Sequence, residues 1–117
     1  MSAPVVYLVK DLLFTSKIRE AASHLGVEVT SARDPAGLVT AARAAQLVLI
    51  DLRLPEALGA LEALAADPAT AGIASVGFVD HERTDVMAAA RTRGCTTVMA
   101  KGEFANALPQ LLGALTA

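Results

Sequence analysis

The chain has a single cysteine, Cys95, in 117 residues. That excludes an intramolecular disulfide, and no group of Cys and His has the spacing of a zinc site, so a reducing cytoplasm is the expected setting. Neither sign of charge is in large excess: ten basic and twelve acidic residues are scattered along the chain, for a formal net charge of −2. This balance leaves no electrostatic footprint for nucleic acid or an anionic membrane, so the partners to expect are proteins or small ligands. No apolar run reaches bilayer length, and the start Met-Ser-Ala-Pro carries no charged leader region; neither insertion nor export is expected. Internal repeats, low-complexity tracts and linkers are also missing. At 54% hydrophobic, a chain of this length suits one compact domain over residues 1–117.

What is present is an alternation of short apolar runs with longer Ala/Leu-rich amphipathic stretches. The runs Pro4–Val9, Val27–Ser31, Leu47–Asp51, Ile73–Val79 and Thr96–Ala100 read as strands, being rich in Val and Ile. A helix is expected after each. The first runs from about Phe14 to Leu25 and stops at Gly26; the second starts on Asp34-Pro35, an N-cap acid followed by proline. The third covers about Pro55 to Ala66 and the fourth about Arg83 to Arg93. Pro109 would break a fifth helix in its interior, so Asn106 is expected as that helix's N-cap, with Pro109 in the first turn. The expected fold is α/β: a doubly wound, flavodoxin-like sheet of five parallel strands in the order 2-1-3-4-5, with helices on both faces.

In such a sheet the carboxyl ends of the strands form the ligand crevice. Asp51 ends the buried run Leu47-Val48-Leu49-Ile50 there, either as a site carboxylate or as a cap for the turn into the next helix. Lys10 and Asp11 follow the first strand, Val79 to His81 the fourth, and Lys101 the fifth. The segment Leu-Val-Leu-Ile-Asp-Leu-Arg-Leu-Pro around Asp51, the acid Asp11 and the later Lys101, in this order of elements, resemble the receiver domain of bacterial response regulators. The resemblance runs over essentially the whole chain. It implies that Asp51 is a phosphoacceptor, that Asp11, Asp51 and Arg53 hold Mg²⁺, and that Lys101 acts catalytically by pairing with a phosphoryl oxygen. The implied partners are a histidine kinase or other phosphodonor and a downstream protein, with a homodimer as a further option.

Three positions depart from the family pattern. Lys10 stands where receivers have the first of two acids, which should weaken the hold on Mg²⁺; its ammonium either pairs with Asp51 or points into solvent. Val79 falls where a Ser or Thr hydroxyl is usual, so it cannot donate a hydrogen bond to phosphate, unless an indel brings Asp80 or His81 into that place. Gly102 replaces a common proline. His81 reads as a solvent-facing or capping residue, His24 as a partner for a helix C-terminus, and Cys95 as a small buried residue. The segment Asp11–Lys17 has no glycine to cradle phosphate, which argues against a nucleotide- or flavin-binding protein. The expected function is a stand-alone receiver-type signalling module, phosphorylated on Asp51 but impaired in conventional switching. The alternatives are a phosphorylation-independent pseudo-receiver and, behind it, a small-ligand-binding protein. Enzyme activity beyond self-phosphorylation and dephosphorylation is not expected.

Overall fold

The structure, a computed structural model, describes residues 3–115. In chain order its elements are β1 (Val5–Leu8), α1 (Leu12–Leu25), β2 (Val29–Ser31), α2 (Pro35–Ala42), β3 (Leu47–Asp51), α3 (Ala57–Ala66), β4 (Ala74–Val79), α4 (Thr84–Thr92), β5 (Thr97–Ala100) and α5 (Lys101–Gly113). The strands form one parallel sheet in the order β2-β1-β3-β4-β5, the doubly wound arrangement expected from the sequence. Local signals account for the boundaries. Asp34 caps α2 through Gly37 N–H at 2.7 Å, and α1 ends on Gly26 at φ +67°, a conformation glycine takes at low cost. No described helix is long and apolar enough to cross a membrane.

The alternation of side chains along each strand divides the core in two. Val5, Tyr7, Leu47, Leu49, Val76 and Phe78 pack against Phe14, Ile18 and Ala22 of α1 and Phe104, Leu108 and Leu112 of α5. On the other face Val6, Leu8, Val48, Ile50 and Val79 meet Leu38 and Ala42 of α2, Leu61 and Leu64 of α3, and Ala90 of α4. Asp51 has the parity of Leu47 and Leu49 and lies in register with Phe78, so it emerges on the α1/α5 side. Val79, one residue beyond Phe78, belongs to the opposite core.

The expected start of α5 is corrected by the structure. The helix begins at Lys101, directly after β5, where the Glu103 side chain accepts from Ala100 N–H at 3.2 Å, and Asn106 lies inside it. Pro109 therefore sits in a helix interior after all, on an exposed position. The reason is the spacing of Phe104, Leu108 and Leu112, which all face the core and are at most 1% exposed. An interior proline costs about 3 kcal/mol. Burying three large apolar side chains at roughly 1.5–3 kcal/mol each outweighs it.

Gly77 connects this packing to the site. A Cβ placed on it would come within 2.8–3.0 Å of the Leu52 side chain, which lies across β4 immediately after Asp51. The glycine thus allows the chain leaving β3 to lie down on the sheet. Gly77→Ala is expected to destabilise the fold by about 1–3 kcal/mol through overpacking. A urea-denaturation cycle with Leu52→Ala should show the double variant to be less destabilised than the sum of the two single ones.

Candidate functional site

Three loops meet at the carboxyl edge of the sheet, each carrying charge. Asp11, between β1 and α1, is the N-cap of α1: its Oδ1 accepts from Leu13 N–H at 2.8 Å and from Phe14 N–H at 3.3 Å. That leaves Oδ2 for the site. Asp51 closes β3 at 2% exposure, deep enough that its charge needs a partner. Arg53 supplies it. Its Nε donates to Asp51 Oδ1 at 2.9 Å and its Nη2 to Oδ2 at 2.8 Å, a two-pronged pairing of planar groups. The same Nη2 reaches Asp11 Oδ2 at 3.1 Å, and the backbone N–H of Arg53 donates to Asp51 Oδ1 at 2.9 Å.

Beneath the guanidinium lies an aromatic floor. The chain's three phenylalanines form one stack, with Phe14 to Phe78 centroids at 4.7 Å and Phe78 to Phe104 at 4.3 Å. Arg53 Cζ stands 5.2 Å from the centre of Phe14 and 5.6 Å from that of Phe78, within range of cation–π attraction. Hydrogen bonding to Asp51 holds the guanidinium well above its ordinary pKa, against the opposing effect of burial, and Asp11 adds to the rise. For Asp11, desolvation pushes the carboxyl up. The N–H groups of Phe14 and Leu13, with Arg53, outweigh it and hold the group below its usual range.

Lys101 and Lys10 have acids of their own. Lys101 Nζ, the expected partner of a phosphoryl group, lies 2.7 Å from Asp80 Oδ1, and that hydrogen bond holds Asp80 below its ordinary range. Of the two expectations for Lys10 the structure bears out the second: it does not meet Asp51, and its exposed side chain points away from the acids of the pocket. Its Nζ donates to Glu56 Oε2 at 2.7 Å, bridging the loop after β1 to the loop before α3. Val79, which has no hydroxyl, is 1% exposed and packs in the core with α2, α3 and α4, on the sheet face opposite to Asp51. His81 is exposed beside Glu82, His24 sits in the last turn of α1, and Cys95 is buried, with burial raising its thiol pKa. Asp11, Arg53 and Lys101, with Leu13, Phe14 and Gly102 among their neighbours, line one open pocket of about 540 Å³.

The structure therefore brings Asp11, Asp51 and Lys101 to one edge, but the group joining the two acids is Arg53. The sequence reading missed this role of Arg53; the one signal that could have found it is a cation two residues beyond a buried acid, whereas the turn back over the strand end and the rings beneath it are tertiary features. A guanidinium has no lone pair, so Arg53 could meet a metal only through its backbone carbonyl. Among the described residues no group of three or more His, Cys, Asp or Glu is placed to hold a metal ion. With Asp51 doubly engaged and Asp11 shared between a helix cap and Arg53, the residues as arranged do not fit a divalent cation.

Comparison with solved structures identifies the fold. A response regulator receiver domain from Rhodospirillum rubrum superposes with a TM-score of 0.75 at 23% identity, covering 96% of this chain and 92% of that one. The receiver domain of a sensor histidine kinase from Pseudomonas aeruginosa, with a magnesium ion coordinated in its active site cleft, gives 0.78 at 17% identity, with 97% of both chains covered. A chemotaxis response regulator of Vibrio cholerae gives 0.77 at 14%, covering 98% of this chain and 99% of that one. The chain has the receiver fold of response regulators. No family model and no curated protein matches it in sequence.

Removing the fork should be costly where removing the rim pair is not. Arg53→Ala leaves a buried carboxylate short of its charged donor, an expected loss of about 2 kcal/mol in urea denaturation, whereas Lys10→Ala should cost less than about 1 kcal/mol. Asp11, Glu56 and Asp80 are all held below the ordinary carboxylate range. Their contribution to stability is therefore complete above about pH 4 and is lost as pH falls through their lowered folded values. Lys101→Ala, which frees Asp80, should lose less stability than wild type between neutral pH and that acid range, read as the urea midpoint against pH.

Proposed function

We propose that this chain is a receiver-type signalling module that acts through protein contacts, with Asp51 as a phosphoacceptor that is closed at rest. The observation that carries the reading is the place of Asp51: the carboxyl end of the central strand, beside Asp11, with Lys101 on the same edge. In the reaction an Asp51 carboxylate oxygen forms a bond to phosphorus while the donor's own bond to phosphorus breaks. Positioning and charge stabilisation supply most of what this transfer needs. Arg53 must first release at least one Asp51 oxygen, and once displaced it can pair with the new phosphoryl group. Lys101 would have to leave Asp80 to join it. The implied partners are a histidine kinase or small phosphodonor and a downstream protein, in the cytoplasm. Affinity for Mg²⁺ is weak in this reading, and no chemical turnover of a further substrate is part of it.

Conventional switching is impaired in this proposal because Val79 has no hydroxyl to follow the phosphoryl group. A ligand shifts an equilibrium only by its differential contacts with the two states. A second reading, the phosphorylation-independent pseudo-receiver, is favoured by one observation: both Asp51 oxygens are already satisfied by Arg53. Mass spectrometry after incubation with acetyl phosphate and Mg²⁺ separates the two. A phosphoryl mass shift on wild type that Asp51→Asn abolishes supports the phosphoacceptor; no shift on wild type, under conditions that label an ordinary receiver, leaves the pseudo-receiver.

A further inference from the structure

Three cations at the carboxyl edge are tied to acids: Lys10 to Glu56, Lys101 to Asp80, and Arg53 to Asp51 and Asp11 together. A divalent ion entering between Asp11 and Asp51 would place two further positive charges beside the guanidinium already seated there, in a partly desolvated site. It would also need carboxylate oxygens that already accept hydrogen bonds. Asp51 offers both of its oxygens to Arg53, and Asp11 has committed Oδ1 to the start of α1. The guanidinium is held from below as well, over the Phe14 and Phe78 rings. Carboxylates on one side and aromatic faces on the other hold it in place.

From this arrangement we infer that Arg53 is the resident cation of the acid pocket: it takes the seat between Asp11 and Asp51 and excludes a divalent metal from it. The inference deepens the reading of Asp51 as the centre of the site. It assigns the weakness of metal binding to Arg53 and not to Lys10, whose ammonium is engaged with Glu56 at the rim. Metal and guanidinium are then alternatives. The apparent affinity for metal is reduced by the small fraction of molecules in which Arg53 has swung out.

The test is calorimetric titration of the whole chain with Mg²⁺ and with Mn²⁺. Arg53→Met removes the charge but keeps an apolar stem over the two rings, and Arg53→Ala removes both. Each is expected to bind either ion more tightly than wild type by about tenfold or more, the scale on which groups around a metal site tune its affinity. Mg²⁺ should raise the melting temperature of Arg53→Met and leave that of wild type unchanged. Lys10→Ala should change the affinity little. Equal binding by wild type and Arg53→Met would overturn the proposal, as would a gain confined to Lys10→Ala. If neither Arg53 variant folds, wild type decides: strong Mn²⁺ broadening of the Asp11 and Asp51 amide signals overturns it, and unbroadened signals support it. No phosphodonor is present, so failure of Asp51 labelling and failure of this inference are read separately.

Discussion

A carboxylate at the end of a strand buried on both faces cannot keep its charge without a partner, and Asp51 is such a carboxylate. β3 lies between β1 and β4, and its side chains Leu47 to Ile50 are enclosed by two helical layers. Its last residue thus meets the site from inside the protein. The guanidinium of Arg53 is well suited to that position, being planar, permanently charged and forked to match a carboxylate. Around this pair the other parts of the edge take their places. Asp11 divides its two oxygens between starting α1 and holding Arg53, so the helix and the site share one side chain.

The aromatic stack ties the same pair to the sheet's register. Phe78 lies opposite Asp51 in the β3–β4 ladder, Phe14 comes from the first turn of α1, and Phe104 from the first turn of α5. All three therefore sit near the carboxyl edge of the sheet, with Phe14 and Phe78 directly beneath Arg53. Packing and electrostatics act on one arginine at once, which gives the site a stable resting arrangement. The residue that ends β4, Val79, meanwhile belongs to the other core. Val79 is buried with α2, α3 and α4, and its neighbour Asp80 holds Lys101. The surroundings of Asp51 are thus rich in charge, and most of that charge is already paired.

The fold was legible because its signals are local and repeated: β-branched runs at even intervals, Asp34-Pro35 opening α2, Gly26 closing α1. These dictate strands, helices and their alternation, and the strand order follows from right-handed crossovers. α5 was misread at its start because proline's local cost is visible in the sequence, whereas the burial of Phe104, Leu108 and Leu112 that outweighs it is a tertiary effect. Asp11, Asp51 and Lys101 could be named from their places after strands. Their partners could not. Whether Lys10 turns to Asp51 or Glu56, and whether Lys101 turns to Asp51 or Asp80, depends on distances between loops that are far apart in sequence. Arg53 was the nearest in sequence, yet its role depended on the Phe14 and Phe78 rings as much as on Asp51.

The central claim is that Arg53 is fixed between Asp51, Asp11 and the two rings, and the Nε–H proton of Arg53 reports on it directly. In a nitrogen–proton NMR spectrum at neutral pH, the account predicts a resolved Nε–H signal, displaced from the positions of the exposed arginines and slow to exchange with water. It should stay in place when Mg²⁺ is added. An Arg53 signal that merges with those of the exposed arginines and exchanges as fast, or one that moves there on adding Mg²⁺, would contradict it.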